Sequence, residues 1–281
     1  MAVDLPGGCK VFGHKEGEPF RRAGLDVWRQ VGRERGSTAI SLSVLELQAG
    51  SATAWRNSDG DQVLFVLSGE ADLRLDGHLY RLAPDTGVFV RPGGRVGLAN
   101  PGGQALTLLD SRCPDPGPDI VFEEPPAPEP LGPPRSPSPV VRLEDQPIER
   151  AGDGRWFRVL IDAKTGSEEV TEFVGFIPPG RAPDHFHEYE EIICILEGRG
   201  RFRSGEASAE IAPGSCVYLP RRQPHCVENT GALPLKLHGL FYPAGSPAVR
   251  YHPGGVAEDA QAASESARPE SPGYGRPPRP C

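Results

Sequence analysis

The chain of 281 residues is 37% hydrophobic and carries a formal net charge of −8, enough apolar material for one large domain or two of ordinary size. Its acidic balance, with no dense basic run, repels a phosphate backbone and argues against nucleic acid as a partner. No stretch approaches the roughly 20 apolar residues of a membrane-spanning helix, and the start MAVDLPGGCK lacks an apolar signal segment, so the expectation is a cytoplasmic protein with no membrane partner.

Glycine (35) and proline (32) are frequent enough to favour many short strands joined by tight turns, so the predicted class is all-β. The first block, residues 1–112, contains VLFVLSGEADLRLDG, a strand, a glycine turn and a second strand, followed by APDTGVFVRPGGRVGLANPG. Residues 113–139 read as a linker, because their proline density prevents helix or central strand. The second block, 140–253, repeats the plan as IICILEGRGRFRSGE and APGSCVYLPRRQPHCVENTG. Gly69 to Pro84 and Gly198 to Pro213 are both fifteen positions, so the two blocks are copies of one small barrel. From 254 to 281 large apolar residues almost vanish, and a disordered tail is expected. Gly and Pro punctuation of this kind suits a jelly roll, giving two tandem jelly-roll barrels. The six cysteines lack the paired spacing of a zinc knot and read as reduced thiols, with Cys194, Cys216 and Cys226 as small buried hydrophobes.

The second block carries the chemistry. Gly180-RAPD-His185-Phe-His187-EYE-Glu191-IICILE-Gly198 places two imidazoles and a carboxylate at alternate positions, which share one face of an extended strand. Further on, Gly214-SCVYL-Pro220-RRQP-His225-CVE-Asn229 brings a fourth candidate on another apolar strand. Glu188 and Glu190 are alternative carboxylates, but the six residues between Glu191 and Gly198 favour Glu191.

These two segments resemble the signature motifs of the cupin superfamily, G-x5-H-x-H-x3/4-E-x6-G and G-x5-P-x-G-x2-H-x3-N. They depart in having four residues before His185 and Arg222 in place of a glycine. The resemblance implies a two-domain cupin whose second barrel binds one divalent transition metal through His185, His187, Glu191 and His225. A set of three nitrogens and one oxygen suits Fe(II), the favoured ion, and also Mn(II), Zn(II), Ni(II) or Co(II). In the first block Gln62 takes the glutamate position and Gly97 the place of His225, so that barrel is expected to hold no metal.

His238, on an apolar strand, is a candidate acid or base. Arg201, Arg203, Tyr218 and Phe176 are candidates for a substrate pocket, although the two arginines also fit a solvated outer face. The expected function is a metal-dependent enzyme acting on a small organic molecule, a dioxygenase or other oxidoreductase if the metal is iron. A redox-neutral isomerase, lyase or hydrolase, or a non-catalytic metabolite-binding protein, are the alternatives. On the resemblance alone, a homodimer is expected.

Overall fold

The computed structural model describes residues 2–57, 59–124, 136–252 and 258–259. Residues 125–135 of the proline-rich linker, and all of the tail except 258–259, Cys281 included, lie outside the described residues. Among the described residues there is no α-helix, and no helix long and apolar enough to cross a membrane.

Four antiparallel sheets make two barrels. In the second barrel the larger sheet runs in the order Ser215–Leu219, Glu190–Glu197, Leu235–Tyr242, Thr171–Ile177, Trp156–Ile161. The larger sheet of the first barrel has the same order, Thr86–Val90, Asp61–Ser68, Leu106–Cys113, Leu42–Leu47, Leu25–Val31. A smaller sheet closes each barrel, built on Cys226–Asn229 and Gly200–Ser204 in the second and on Arg95–Ala99 and Ala71–Leu75 in the first.

Side-chain pattern explains this layering. Ala207–Ile211 alternates buried and solvated residues, as a strand with one wet face must, whereas Leu106–Cys113 is buried at every position. The larger sheets are covered on both sides because each lines its own barrel and packs against the other barrel. Trp55, Leu64 and Leu73 fill the first interior, Phe157, Phe173 and Phe241 belong to the second, and Phe65, Leu109, Ile192, Cys194 and Leu240 form a layer between them. All five described cysteines are buried free thiols.

The two halves also exchange edge strands. Lys10–Gly13, in the first block by sequence, pairs with Ser215–Leu219 of the second barrel, placing Val11 opposite Val217. Val140–Arg142, at the start of the second block, pairs with Thr86–Val90 of the first. The repeat places the block boundaries at the ends of the copied sequence, whereas the hydrogen bonding carries a short arm across in each direction. Each arm covers an edge that would otherwise present unpaired backbone groups.

Matching residues hold matching turns in the two copies. Gly69 and Gly198 have φ of 82° and 85°, and an added Cβ would meet the Leu106 Cα at 2.9 Å and the Leu235 Cα at 3.0 Å, so any side chain is excluded at both. Asn229 donates to the carbonyls of Ile177 and Leu233 and accepts from the Gly231 N–H, as Asn100 does with Leu47, Gln104 and Gly102. Asn229→Ala leaves these buried groups unpaired, and urea unfolding is expected to show a loss of about 2–3 kcal/mol.

Candidate metal centre

His185 and His187 lie just before the strand Glu190–Glu197, and Glu191 is the second residue of that strand. His225 immediately precedes Cys226–Asn229 and is joined to His185 by a reciprocal pair of backbone hydrogen bonds of 3.0 and 2.8 Å. That bridge brings the two distant segments together. One ring nitrogen from each of His185, His187 and His225 lies within 4.8 Å of the others, forming the one such cluster among the described residues. Glu191 Oε2 lies 3.9 Å from His187 Nε2 and 3.8 Å from His225 Nε2.

Each imidazole is held from behind. The Nδ1 groups of His187 and His225 donate to the carbonyls of Val249 and Gln223 at 3.0 Å, and that of His185 to Pro183 at 3.3 Å. This fixes the tautomer that leaves an Nε2 lone pair facing the centre, the arrangement that orients histidine ligands of metals. Burial depresses the basicity of these imidazoles, joined at His187 by the His225 ring and at His225 by the Arg155 charge, with His187 lowered to about 3 and His225 to about 4. His185 shifts in the same direction for the same reasons. Burial raises Glu191 to about 8, with Arg155 pulling the other way, and its Oε2 is buried with no hydrogen-bond partner. Three inward lone pairs and an orphaned carboxylate oxygen are costly unless something positive sits among them. The donors therefore fit a divalent cation, and a ligand set of this kind binds only when its imidazoles are neutral.

The surrounding cavity measures about 70 Å³, several times the roughly 10–15 Å³ that admits one water. Phe157, Phe173, Phe176 and Phe241 supply much of its apolar wall. Phe176, one of the expected pocket residues, lies here, its ring stacked on Trp156 at 3.6 Å. Arg201 and Arg203 do not line it. They pair with Glu210 and Glu228 at 2.6 and 2.7 Å, on the outward face. Tyr218 belongs to the layer between the barrels, where its hydroxyl donates to Glu190.

His238 is also removed from the cavity. Leu237 and Phe241 face the metal side of their strand, so His238, offset by odd numbers of residues, points to the layer between the barrels. It pairs there with Glu172 at 2.9 Å and packs against Phe65 of the first barrel. Neither alternative carboxylate joins the site. Glu190 accepts from the backbone N–H groups of Thr38, Ala39 and Ile40, tying the first barrel to the second, and Glu188 pairs with Arg222 at 2.7 Å. Arg222 takes φ of 62°, the left-handed conformation that explains the glycine of the motif it departs from.

Two residues that the motif reading missed, Arg155 and Arg250, line the cavity. Arg155 ends the hairpin turn that begins at Ala151, and Arg250 lies in a strap after the barrel in which Val249 anchors His187. Both fall far from the motif segments, and the turn-forming GDG ahead of Arg155 is the sole local signal of its placement.

Among the described residues the first barrel has no equivalent site. Gln62 occupies the position of Glu191, pairing with Val90 as Glu191 pairs with Leu219, but it accepts from Trp55 Nε1 at 3.3 Å and donates to Asp110 at 2.6 Å. Strand register corrects the other assignment. Gly97 pairs with Arg74 as Cys226 pairs with Arg203, so Val96 rather than Gly97 stands in the place of His225. Trp55 and Val96 belong to the apolar core that fills this barrel.

The cupin domain family matches residues 43–112 and 173–241, one match in each barrel. An uncharacterized protein of Methanocaldococcus jannaschii is 43% identical over 54 residues, a match covering 19% of this chain and 43% of that relative's length. Among solved structures, a putative glyoxylate induced protein of Pseudomonas aeruginosa superposes with a TM-score of 0.66 at 17% identity, covering 88% of this chain and 93% of that one. Protein Ylba of E. coli gives 0.65 at 12% identity, covering 86% and 93%. Oxalate decarboxylase of Bacillus subtilis gives 0.64 at 15% identity, covering 84% and 77%. At these identities the likeness is one of fold.

Proposed function

The chain belongs to the cupin family as a two-domain member, and from that premise we propose that its second barrel binds one divalent metal through His185, His187, Glu191 and His225 and acts on a small organic molecule. The observation that carries this reading is the convergence of three carbonyl-anchored imidazoles on a buried carboxylate oxygen that has no other partner. Four donors on an ion that accepts six leave two places for a chelating substrate. When bound, the metal would supply Lewis acidity, and as Fe(II) it would also bind and activate O₂, with the organic substrate as the net source of electrons, which is the dioxygenase reading. The chain itself orients the imidazoles and walls the site with phenylalanines.

A redox-neutral cleavage is the second reading, favoured by the shared fold of an enzyme named oxalate decarboxylase. Elemental analysis of protein prepared without chelators or added metal, beside Glu191→Ala, tests the common premise. About one metal per chain, lost in the variant, is the expected result. Iron directs the next assay to oxygen uptake with catechols, diketones and hydroxy acids, and manganese, zinc, nickel or cobalt to redox-neutral turnover. A chain that takes up none of these ions on reconstitution is not a metalloenzyme.

A further inference from the structure

The cavity contains a guanidinium, that of Arg155, which no carboxylate among the described residues bridges. Arg155 Nη2 is buried without a hydrogen-bond partner, and so is Nε of Arg250, which lines the same cavity. The nearby acid Asp153 is taken by Arg250, whose Nη1 donates to it at 2.8 Å. Cys226 is no counterion, because its thiol donates to the Ala182 carbonyl at 3.0 Å. Glu191 lies within reach of the Arg155 field but belongs to the proposed metal set. The phenylalanines of the wall offer no acceptor. A guanidinium desolvated in this way is costly to leave unpaired, and its planar fork matches a carboxylate.

We propose that Arg155, with Arg250 beside it, is the recognition site for the carboxylate of a small organic acid whose other end reaches the metal. The substrate class is then a carboxylic acid, such as a 2-oxo or 2-hydroxy acid, whose metal-reaching end fits the 70 Å³ of space. This rests on the metal reading above and adds to it the charge of the ligand. Arg155 is held for this role by its turn, in which its N–H donates to the Gly152 carbonyl at 2.9 Å and its carbonyl accepts from Ala151 at 3.0 Å. Arg250 is half neutralised by Asp153, so Arg155 is the stronger anchor.

Calorimetric titration of the Co(II)-loaded full chain with pyruvate and with pyruvamide, which differ in charge at one group, tests the proposal. The expected result is binding of pyruvate at least tenfold tighter than pyruvamide. Arg155→Gln should lose that preference while keeping its cobalt, and Arg155→Lys should recover part of it. Equal affinity for the two probes in the unaltered chain overturns the proposal, as does pyruvate binding by Arg155→Gln within twofold of the unaltered chain at full cobalt content. Cobalt content, measured on the same samples, separates the two ideas. Full cobalt with no carboxylate preference sinks this inference alone, and a chain that retains no cobalt sinks the metal reading with it. If Arg155→Gln does not fold, Arg155→Lys decides, and a ratio of pyruvate to pyruvamide affinity in that variant equal to that of the unaltered chain overturns the proposal, because chelation by cobalt is common to both.

Discussion

His225→Ala is expected to weaken metal binding by at least about a hundredfold, since disturbing even the residues behind a ligand costs about 10–100-fold and this change removes a donor outright. His225 also forms the backbone bridge to His185, but that bridge uses main-chain groups and survives the substitution. Thermal melting with and without added metal separates binding from folding. A saturating ion at about 100 times its Kd stabilises the unaltered chain by ~2.7 kcal/mol, and the variant should gain at most about 0.4 kcal/mol while melting near the unaltered metal-free chain. Gln62→Ala in the first barrel serves as control and should leave metal affinity unchanged. Equal stabilisation of the His225→Ala variant by metal would show that the ion binds elsewhere.

The second large effect is expected at the junction of the barrels. His238 and Glu172 form a pair whose side chains are each 1% exposed, beneath the strand Thr86–Val90, where a Cβ on Gly87 would come within 2.5 Å of Glu172 Oε2. Removing one partner strands the other in an apolar layer, so His238→Ala should cost about 3–5 kcal/mol in urea unfolding. The double change His238→Leu with Glu172→Leu should be nearly neutral, because it removes the desolvation penalty together with the attraction. Glu172 Oε2 has no hydrogen-bond partner, so the pair is incompletely satisfied and the double variant loses little. Comparable damage from the single and double changes would mean that lost packing, not stranded charge, is the cause.

The same pair sets a pH dependence. Burial disfavours the charged form of His238, but Cys194 and Glu172 beside it favour that form more and raise its pKa to about 9. Burial also raises the carboxyl of Glu172, against the pull of His238. Both groups hold their protons more tightly folded than unfolded. Their contribution is therefore fully present at low pH and, for His238, is lost as pH climbs from about 6.5 through about 9. The Cys194 thiol, held down to about 7 by Cys216 and His238 against its burial, contributes with the opposite sign over the same range, so unfolding at pH 6 and at pH 9.5 should show the His238 loss in a Cys194→Ala chain and a flatter profile when the double-leucine change is added to it.

The candidate metal set was legible because it is local. His185, His187 and Glu191 fall on one segment, and His225 sits at a fixed offset from Asn229, whose turn is repeated at Asn100 in the first barrel. The pocket was not legible by the same means. Leu235–Tyr242 is buried at every position but Lys236 and Tyr242, since one of its faces lines the cavity and the other meets the first barrel. Alternation shows that His238 and Leu237 lie on opposite faces but not which face is the cavity, so a buried histidine on this strand reads equally as acid, base or structural pair.

By itself, then, the sequence determined what depends on short-range spacing: strands, glycine turns, the duplicated plan and the four metal-site candidates. Only the tertiary structure decided that Arg155 and Arg250 enter the cavity, that Arg201, Arg203 and Tyr218 do not, and that residues 10–13 and 140–142 change partners between barrels. The reason is physical. Backbone conformation and strand periodicity are set by neighbours along the chain, whereas the direction a buried side chain faces depends on which distant sheet covers it.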